Sequence, residues 1–161
     1  MVAFQIRQAE PHDADAIAHV HTTSMREALP YLPELHTAEE TRGWVATVVL
    51  PNQSVWVAEV EGRIVGVTAL HEGTLEQLNI LPGYQGRGIG SELLGKAKEL
   101  NPEGLRLWTF QRNARARAFY EHRGFVAVEF GDGSGNEEGE PDVRYKWKPK
   151  AGDVPESGTG A

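Results

Sequence analysis

The 161-residue chain has no cysteine, which excludes a disulfide framework, a thiol nucleophile and any Cys-ligated metal. His19, His21 and His36 do not make up for that absence with metal-ligand spacing, so no metal is expected. No apolar run approaches the roughly 18 residues of a membrane span. The opening MVAFQIRQAEPHDADA lacks a charged stretch followed by an apolar one, so a signal peptide is not expected either. A cytoplasmic location without membrane attachment is the default expectation. Positive charge is also short. The net charge is −7, which disfavours nucleic acid as a main partner because domains that bind it are usually basic. The phosphate-binding pattern GxxxxGK[ST] is absent, so the chain has no Walker A loop.

What is present reads as one domain over residues 1–148, with a tail at 149–161 whose composition does not favour a packed core. The charge is unevenly spread. Residues 84–123 hold eight basic and four acidic side chains, so this stretch is +4 and the rest of the chain −11. A basic patch on an acidic protein fits a small anionic ligand better than a long polyanion.

Alternation at Phe4-Gln5-Ile6-Arg7 predicts a strand over 3–8. Pro11 opens a helix that runs to about Ala28, with Ala16, Ile17, Val20 and His21 at helical spacing. Thr37-Ala38-Glu39-Glu40 resembles a capping box for a second helix to about Val49, after which Pro51-Asn52 marks a turn. Strands are predicted at 55–60, 64–70 and 75–81, the first two joined by a tight Glu61-Gly62 hairpin. A helix at 89–100 buries Ile89, Leu93, Leu94 and Ala97. A strand at 105–110, a helix at 113–123 and strands at 125–130 and 143–147 follow, the last pair separated by a flexible Gly- and acid-rich loop at 131–141. The order β-α-α-β-β-β-α-β-α-β-β is that of a mixed α/β protein.

The most informative segment is Leu78-Asn79-Ile80-Leu81-Pro82-Gly83-Tyr84-Gln85-Gly86-Arg87-Gly88-Ile89-Gly90-Ser91. It passes from a strand through a glycine turn into an amphipathic helix. That arrangement offers backbone N–H groups at a helix N-terminus, where the dipole favours an anion. Glycines allow close backbone approach, and Arg87 adds positive charge. Gly86, Gly88 and Gly90 give G-x-G-x-G rather than the dinucleotide fingerprint G-x-G-x-x-G, and the acid expected about 20 residues later at a strand end is missing.

Leu78-x-Ile80-x-Pro82-x-x-Gln85-Gly86-x-Gly88-x-Gly90 resembles the cofactor motif of the GNAT superfamily of N-acetyltransferases, Q/R-x-x-G-x-G/A behind its usual strand. A second motif of that family follows at the usual distance, from Asn113 through Phe119, Tyr120 and Gly124 to Phe125. The resemblance covers about 50 residues, 74–125. It implies a mixed, mostly antiparallel sheet, splayed after the motif strand to form a slot and flanked by helices. It implies acetyl-CoA as cosubstrate: Leu78, Ile80 and Leu81 lend backbone groups to the pantetheine arm and acetyl carbonyl. Gln85, Gly86, Arg87, Gly88, Ile89, Gly90 and Ser91 hold the pyrophosphate, and Asn113, Phe119 and Tyr120 lie along the pantetheine side. A homodimer also follows from the resemblance.

The implied chemistry is direct acetyl transfer to a primary amine, of a small molecule or of a protein or peptide. Tyr120 is the candidate proton donor to the departing thiolate, two helical turns beyond a cap at Asn113. Phe119 is expected to be the packed aromatic beside it. The base is open. Relatives commonly carry a carboxylate before the Leu-x-Val strand motif, where this chain has Gln77. Glu76 is the nearest carboxylate, on the opposite face by strand alternation. An amine that is already neutral, or one deprotonated through water, needs no dedicated base. Met25, Tyr31, Trp56 and Gln77 are the candidate acceptor-site residues, with Leu32 and Leu35 beside them. Glu137, Glu138 and Glu140 could attract a cationic amine. Two other readings remain: a module that senses acetyl-CoA without turnover, and an acyltransferase for another acyl-CoA.

Overall fold

The computed structural model describes residues 3–150; most of the tail at 149–161 lies outside the described residues. The chain forms two compact units, Met1–Ala97 and Lys98–Ala161.

The first unit is built on four antiparallel strands in the order β1 (Gln5–Gln8), β2 (Ser54–Val60), β3 (Arg63–His71) and β4 (Thr74–Ile80). Every residue of β3 between its two ends is buried, as expected of a strand covered on both faces. Its two hairpins use the same device. Glu61 and Gly62, then Glu72 and Gly73, all have positive φ, the geometry of a two-residue turn whose twist matches the strands. The first of these turns is the Glu61-Gly62 hairpin expected from the sequence; the second, Glu72-Gly73, is an addition from the structure.

Residue period 2 sorts the two faces of this sheet. Val67 pairs with Asn79 and Ala69 with Gln77, so these four share one face. Thr68 pairs with Leu78 and Gly66 with Ile80 on the other. Helix α1 (Ala14–Ala28) lies on the Asn79 face, where its buried Ile17, Val20 and Ser24 follow helical spacing. Helix α2 (Ala38–Trp44) starts at the expected capping box, Thr37 Oγ1 accepting from the Glu40 amide and Glu40 Oε1 from the Thr37 amide. It passes into a π-helical stretch, Val45–Val49, and a last turn α3 (Leu50–Asn52). Pro51 is therefore helical rather than the expected turn. The wider π turn ahead of it bonds the Leu50 amide back to the Val45 carbonyl, and so accommodates a residue with no N–H of its own.

Helix α4 (Ile89–Leu100) covers the opposite face. A Cβ placed on Gly66 would meet Ile80 at 2.9 Å, Leu93 at 3.1 Å and Ile89 at 3.3 Å, so this glycine is what lets the helix sit close to the strand.

The second unit contains β5 (Leu105–Phe110), α5 (Ala114–Glu121), β6 (Val126–Gly131) and β7 (Asp142–Trp147), its strands antiparallel in the order β5-β7-β6. Tyr145 of β7 is fully buried; its hydroxyl accepts from Arg117 Nε at 2.9 Å and donates to Glu121 Oε2. The 131–141 loop is less loose than its composition suggests. Asn136 Nδ2 donates to the Glu140 carbonyl and to Asp142 Oδ2, and Gln111 Nε2 donates to the carbonyls of Gly131 and Asp142.

Candidate functional site

In the first unit, β4 runs into the glycine turn. The Leu81 amide donates to the Val65 carbonyl at 2.8 Å, the Tyr84 amide returns to the Leu81 carbonyl at 3.0 Å, and Gln85 Nε2 donates to the Ile80 carbonyl at 3.1 Å. Gln85, expected to face the pyrophosphate, therefore ties the turn to the end of its own strand. Gly83, Gly86 and Gly88 have φ of 92°, 75° and 86°, a region that L side chains rarely adopt, and the space where each Cβ would lie is open to 4 Å. The first helical bond shown for α4 runs from the Glu92 amide to the Gly88 carbonyl, so the amides of Ile89 and Gly90 come before it at the positive end of the helix.

Charge collects at this turn. The Arg87 and Arg63 guanidinium groups lie 5.6 and 6.0 Å from the Tyr84 ring centroid. Arg63 belongs to β3, and only the hairpin brings it to this turn. Left-handed glycines, open space, helix-terminal amides and two guanidinium groups form a donor set that fits a diphosphate.

On the α1 face of β4, Gln77 is only 6% exposed, and neither atom of its side-chain amide has a hydrogen-bond partner among the described residues. Two residues on, Asn79 Oδ1 lies 3.2 Å from His21 Nδ1 of α1, and the His21 ring packs on Trp44 at 5.7 Å between centroids. The sequence placed His21 on the packed stripe of α1, and its contact with β4 depends on the pairing of distant segments. Glu76 is the extra residue of a bulge between the Ala69 and Leu70 pairings, and it is exposed. Simple alternation does not carry across that bulge.

The expected acceptor-site residues do not all share one face of the sheet. Trp56 pairs with Thr68, which puts it on the α4 face, where Lys96 Nζ lies 4.4 Å from its ring centroid. Gln77 lies on the other face, with α1. Period 2 separates Trp56 from that side. Met25 is half-buried on α1, and Tyr31, Leu35 and Trp44 are exposed.

In the second unit, Asn113 caps α5, its Oδ1 accepting from the Ala116 amide at 3.1 Å. Tyr120 is 8% exposed and packs against Phe119, Phe125 and Tyr145 at centroid distances of 5.4, 5.4 and 6.4 Å. Burial pushes its phenol well above the ordinary tyrosine value, so it stays protonated at neutral pH. Of the two neighbouring aromatics, Tyr120 is the more deeply packed ring. Phe119 is half-buried beneath the Arg123 guanidinium, 3.8 Å from its centroid. Glu140 is also not a free loop acid. Arg112 holds it through two bonds of 2.6 and 2.8 Å, which keeps its carboxyl below the usual range.

Among the described residues, the one grouping of metal-ligating side chains is Glu10, His12 and Asp13, and Arg7 takes both Asp13 oxygens at 2.8 and 2.9 Å.

The profile of an acetyltransferase (GNAT) domain matches residues 51–127, from the strands of the first unit into β6 of the second. An N-acetyltransferase of Archaeoglobus fulgidus, itself uncharacterised, is 30% identical over 149 residues, which cover 83% of this chain and 99% of the relative. The chain belongs to the GNAT acetyltransferase superfamily.

The peptidyl-lysine N-acetyltransferase YiaC of Escherichia coli is similar to this GNAT chain at 28% identity over 125 residues, 77% of the chain and 84% of YiaC. In structure, the PaiA N-acetyltransferase of Thermoplasma acidophilum, solved in complex with coenzyme A, superposes with a TM-score of 0.67 at 17% identity. It covers 91% of this chain and 99% of that one. A likeness at that identity carries the fold. The mixed α/β, mostly antiparallel class expected from the sequence is what these relatives share, and the chain is an acyltransferase of this family.

Proposed function

We infer that this GNAT protein is an acetyl-CoA-dependent N-acetyltransferase that moves the acetyl group directly to a primary amine. The observation that carries the reading is the glycine turn between β4 and α4, whose left-handed glycines leave open space before helix-terminal amides and beside Arg63 and Arg87. In this reading Gly86, Arg87, Gly88, Ile89, Gly90 and Ser91 hold the pyrophosphate, with Gln85 keeping the turn in place. The backbone of Leu78, Ile80 and Leu81 meets the pantetheine arm, and the Ile80 amide polarises the acetyl carbonyl, since the Leu81 amide already donates to the Val65 carbonyl. Asn113, as helix cap, and Phe119 support the segment that carries Tyr120, whose protonated phenol is the proton donor for the thiolate. Gln77, with its buried unpaired amide, and Met25 and Tyr31 serve the acceptor; Trp56 does not. The same reading includes one catalytic domain over residues 1–148, a homodimer and a cytoplasmic setting. No described helix is long and apolar enough to cross a membrane.

An amine panel scored by thiol release tests the reaction. It comprises a short alkylamine, a lysyl peptide with a blocked N-terminus and a peptide with a free α-amine. Thiol release that depends on one of these amines, with an acetylated product of matching amount, is the expected result. Bound acetyl-CoA with no release against any amine would leave only a binding module.

A further inference from the structure

Arg63 opens β3, directly after the Glu61-Gly62 turn. Its side chain is exposed, and its guanidinium lies 6.0 Å from the centroid of Tyr84, a half-buried ring of the glycine turn that packs against the core of the first unit. Arg87, from within the turn, lies 5.6 Å from the same centroid and is exposed as well. Backbone bonds help to set this placement. The Val65 carbonyl, two residues after Arg63, accepts from the Leu81 amide at 2.8 Å, and the Leu81 carbonyl accepts from the Tyr84 amide at 3.0 Å. The start of β3 is thereby tied to the turn. A guanidinium that lies over a ring still donates from the edge of its planar fork.

Within the described residues neither charge is neutralised: Arg63 and Arg87 form no ion pair. The neighbouring acids are engaged elsewhere or face solvent. Glu59 binds Arg7 at 3.2 Å, and Glu61 and Glu92 are exposed. Two like charges gathered on one ring repel, and an anion beside them relieves the repulsion. Acetyl-CoA brings two anionic groups. Its diphosphate suits the donors that belong to the turn itself, the amides of Ile89 and Gly90 with Arg87. Its 3′-phosphate is a monoester on the ribose next to the diphosphate, with a charge of about −1.5 to −2 at pH 7. Arg63 comes from another element, outside the segment that serves the diphosphate, and a guanidinium fork matches the oxygens of a phosphate.

We propose that Arg63 binds the 3′-phosphate of acetyl-CoA, so that the protein prefers the phosphorylated cofactor to its dephospho form. The inference rests on the reading of the glycine turn as the acetyl-CoA site. In this role Arg63 is a cofactor-binding residue rather than a catalytic one. It sets which cofactor is held and takes no part in the transfer of the acetyl group. Tyr84 is the surface on which the Arg63 and Arg87 guanidinium groups rest.

Calorimetry of coenzyme A and of dephospho-coenzyme A against the full chain tests this, for the wild type, Arg63→Gln and Arg63→Lys. The wild type should bind coenzyme A at least about 10-fold more tightly than the dephospho form at low salt. The gap should narrow as salt is raised, because Arg63 is exposed and its charge is screened. Arg63→Gln, checked for folding by its melting curve, should lose most of that preference while binding the dephospho form as the wild type does. Arg63→Lys keeps the charge and loses the fork, and should fall between the two. A wild type that binds both forms equally overturns the assignment without need of a variant, and leaves the acetyl-CoA site standing. So does a folded Arg63→Gln that keeps the full preference. A folded Arg63→Gln that loses affinity for both forms by the same factor also overturns it, and gives Arg63 to the diphosphate. A wild type that binds neither form overturns the site and the assignment together.

Discussion

Asp13 is nearly fully buried and uses both of its carboxylate oxygens: Arg7 takes them at 2.8 and 2.9 Å, and the Glu10 amide donates to Oδ2 at 2.7 Å. Arg7 holds its carboxyl below the usual range. Asp13→Asn keeps the shape but removes the charge from the pair, and should cost about 2 kcal/mol in urea unfolding, since hydrogen bonds to charged groups are the strong ones. A loss within a few tenths of a kcal/mol would show the pair to be ornamental. Tyr120 is the other residue whose environment makes a claim. Tyr120→Phe keeps the ring against Phe119, Phe125 and Tyr145. It should lower kcat by at least about 10²-fold while leaving acetyl-CoA affinity nearly unchanged. Near-normal kcat under conditions where chemistry limits the rate would return Tyr120 to a packing role. At this scale the sequence was informative about Asn113, whose cap follows from residue type and position. It was misleading about which neighbouring aromatic is buried, because that depends on where Phe125 and Tyr145 come to lie.

At the scale of elements, the caps and turns were the most legible features. Thr37 and Asn113 cap as their types demand, and the stripe Ile89, Leu93, Leu94 and Ala97 of α4 is buried as its spacing requires. Asn113→Ala should destabilise the protein by about 1 kcal/mol, read as a lower urea midpoint at unchanged slope. An unchanged midpoint would mean that the cap bond is replaced by water without loss. The irregular features escaped the sequence. A π turn before Pro51 and a bulge at Glu76 both break the fixed periods on which pattern reading depends, and each is set by packing against other segments. The bulge matters most for the site, because it decides which β4 residues reach α1. Arg63 and the His21–Asn79 contact were hidden for a related reason: each joins residues far apart in sequence.

For the whole molecule, the two ends of the pH scale should report different groups. Asp13 has a depressed folded pKa, so its contribution is present above the ordinary carboxylate value and is lost as the pH falls through the lower folded one. Tyr120 and Tyr145 have raised folded pKa values, through burial in both cases. Their contribution is intact below about pH 10, the ordinary tyrosine value, and is lost above it. Melting temperature should therefore fall at both extremes, and the alkaline fall should be shallower in Tyr120→Phe than in the wild type. Equal alkaline slopes in the two proteins would contradict the buried phenol. Light scattering across a range of protein concentrations tests the proposed homodimer; a monomeric mass at the highest concentration would remove it.

The central claim is that acetyl-CoA is held by the glycine turn that follows β4, and calorimetry tests it most directly. Acetyl-CoA titrated into the wild type should give a saturable isotherm with one site per chain. Gly88→Glu forces a side chain onto a backbone with φ of 86° and sets a carboxylate where the pyrophosphate is placed. This variant, shown to be folded by its melting curve, should bind at least about 10²-fold more weakly, the result of lost close approach combined with like-charge repulsion. A folded Gly88→Glu protein that binds acetyl-CoA as tightly as the wild type would contradict the claim.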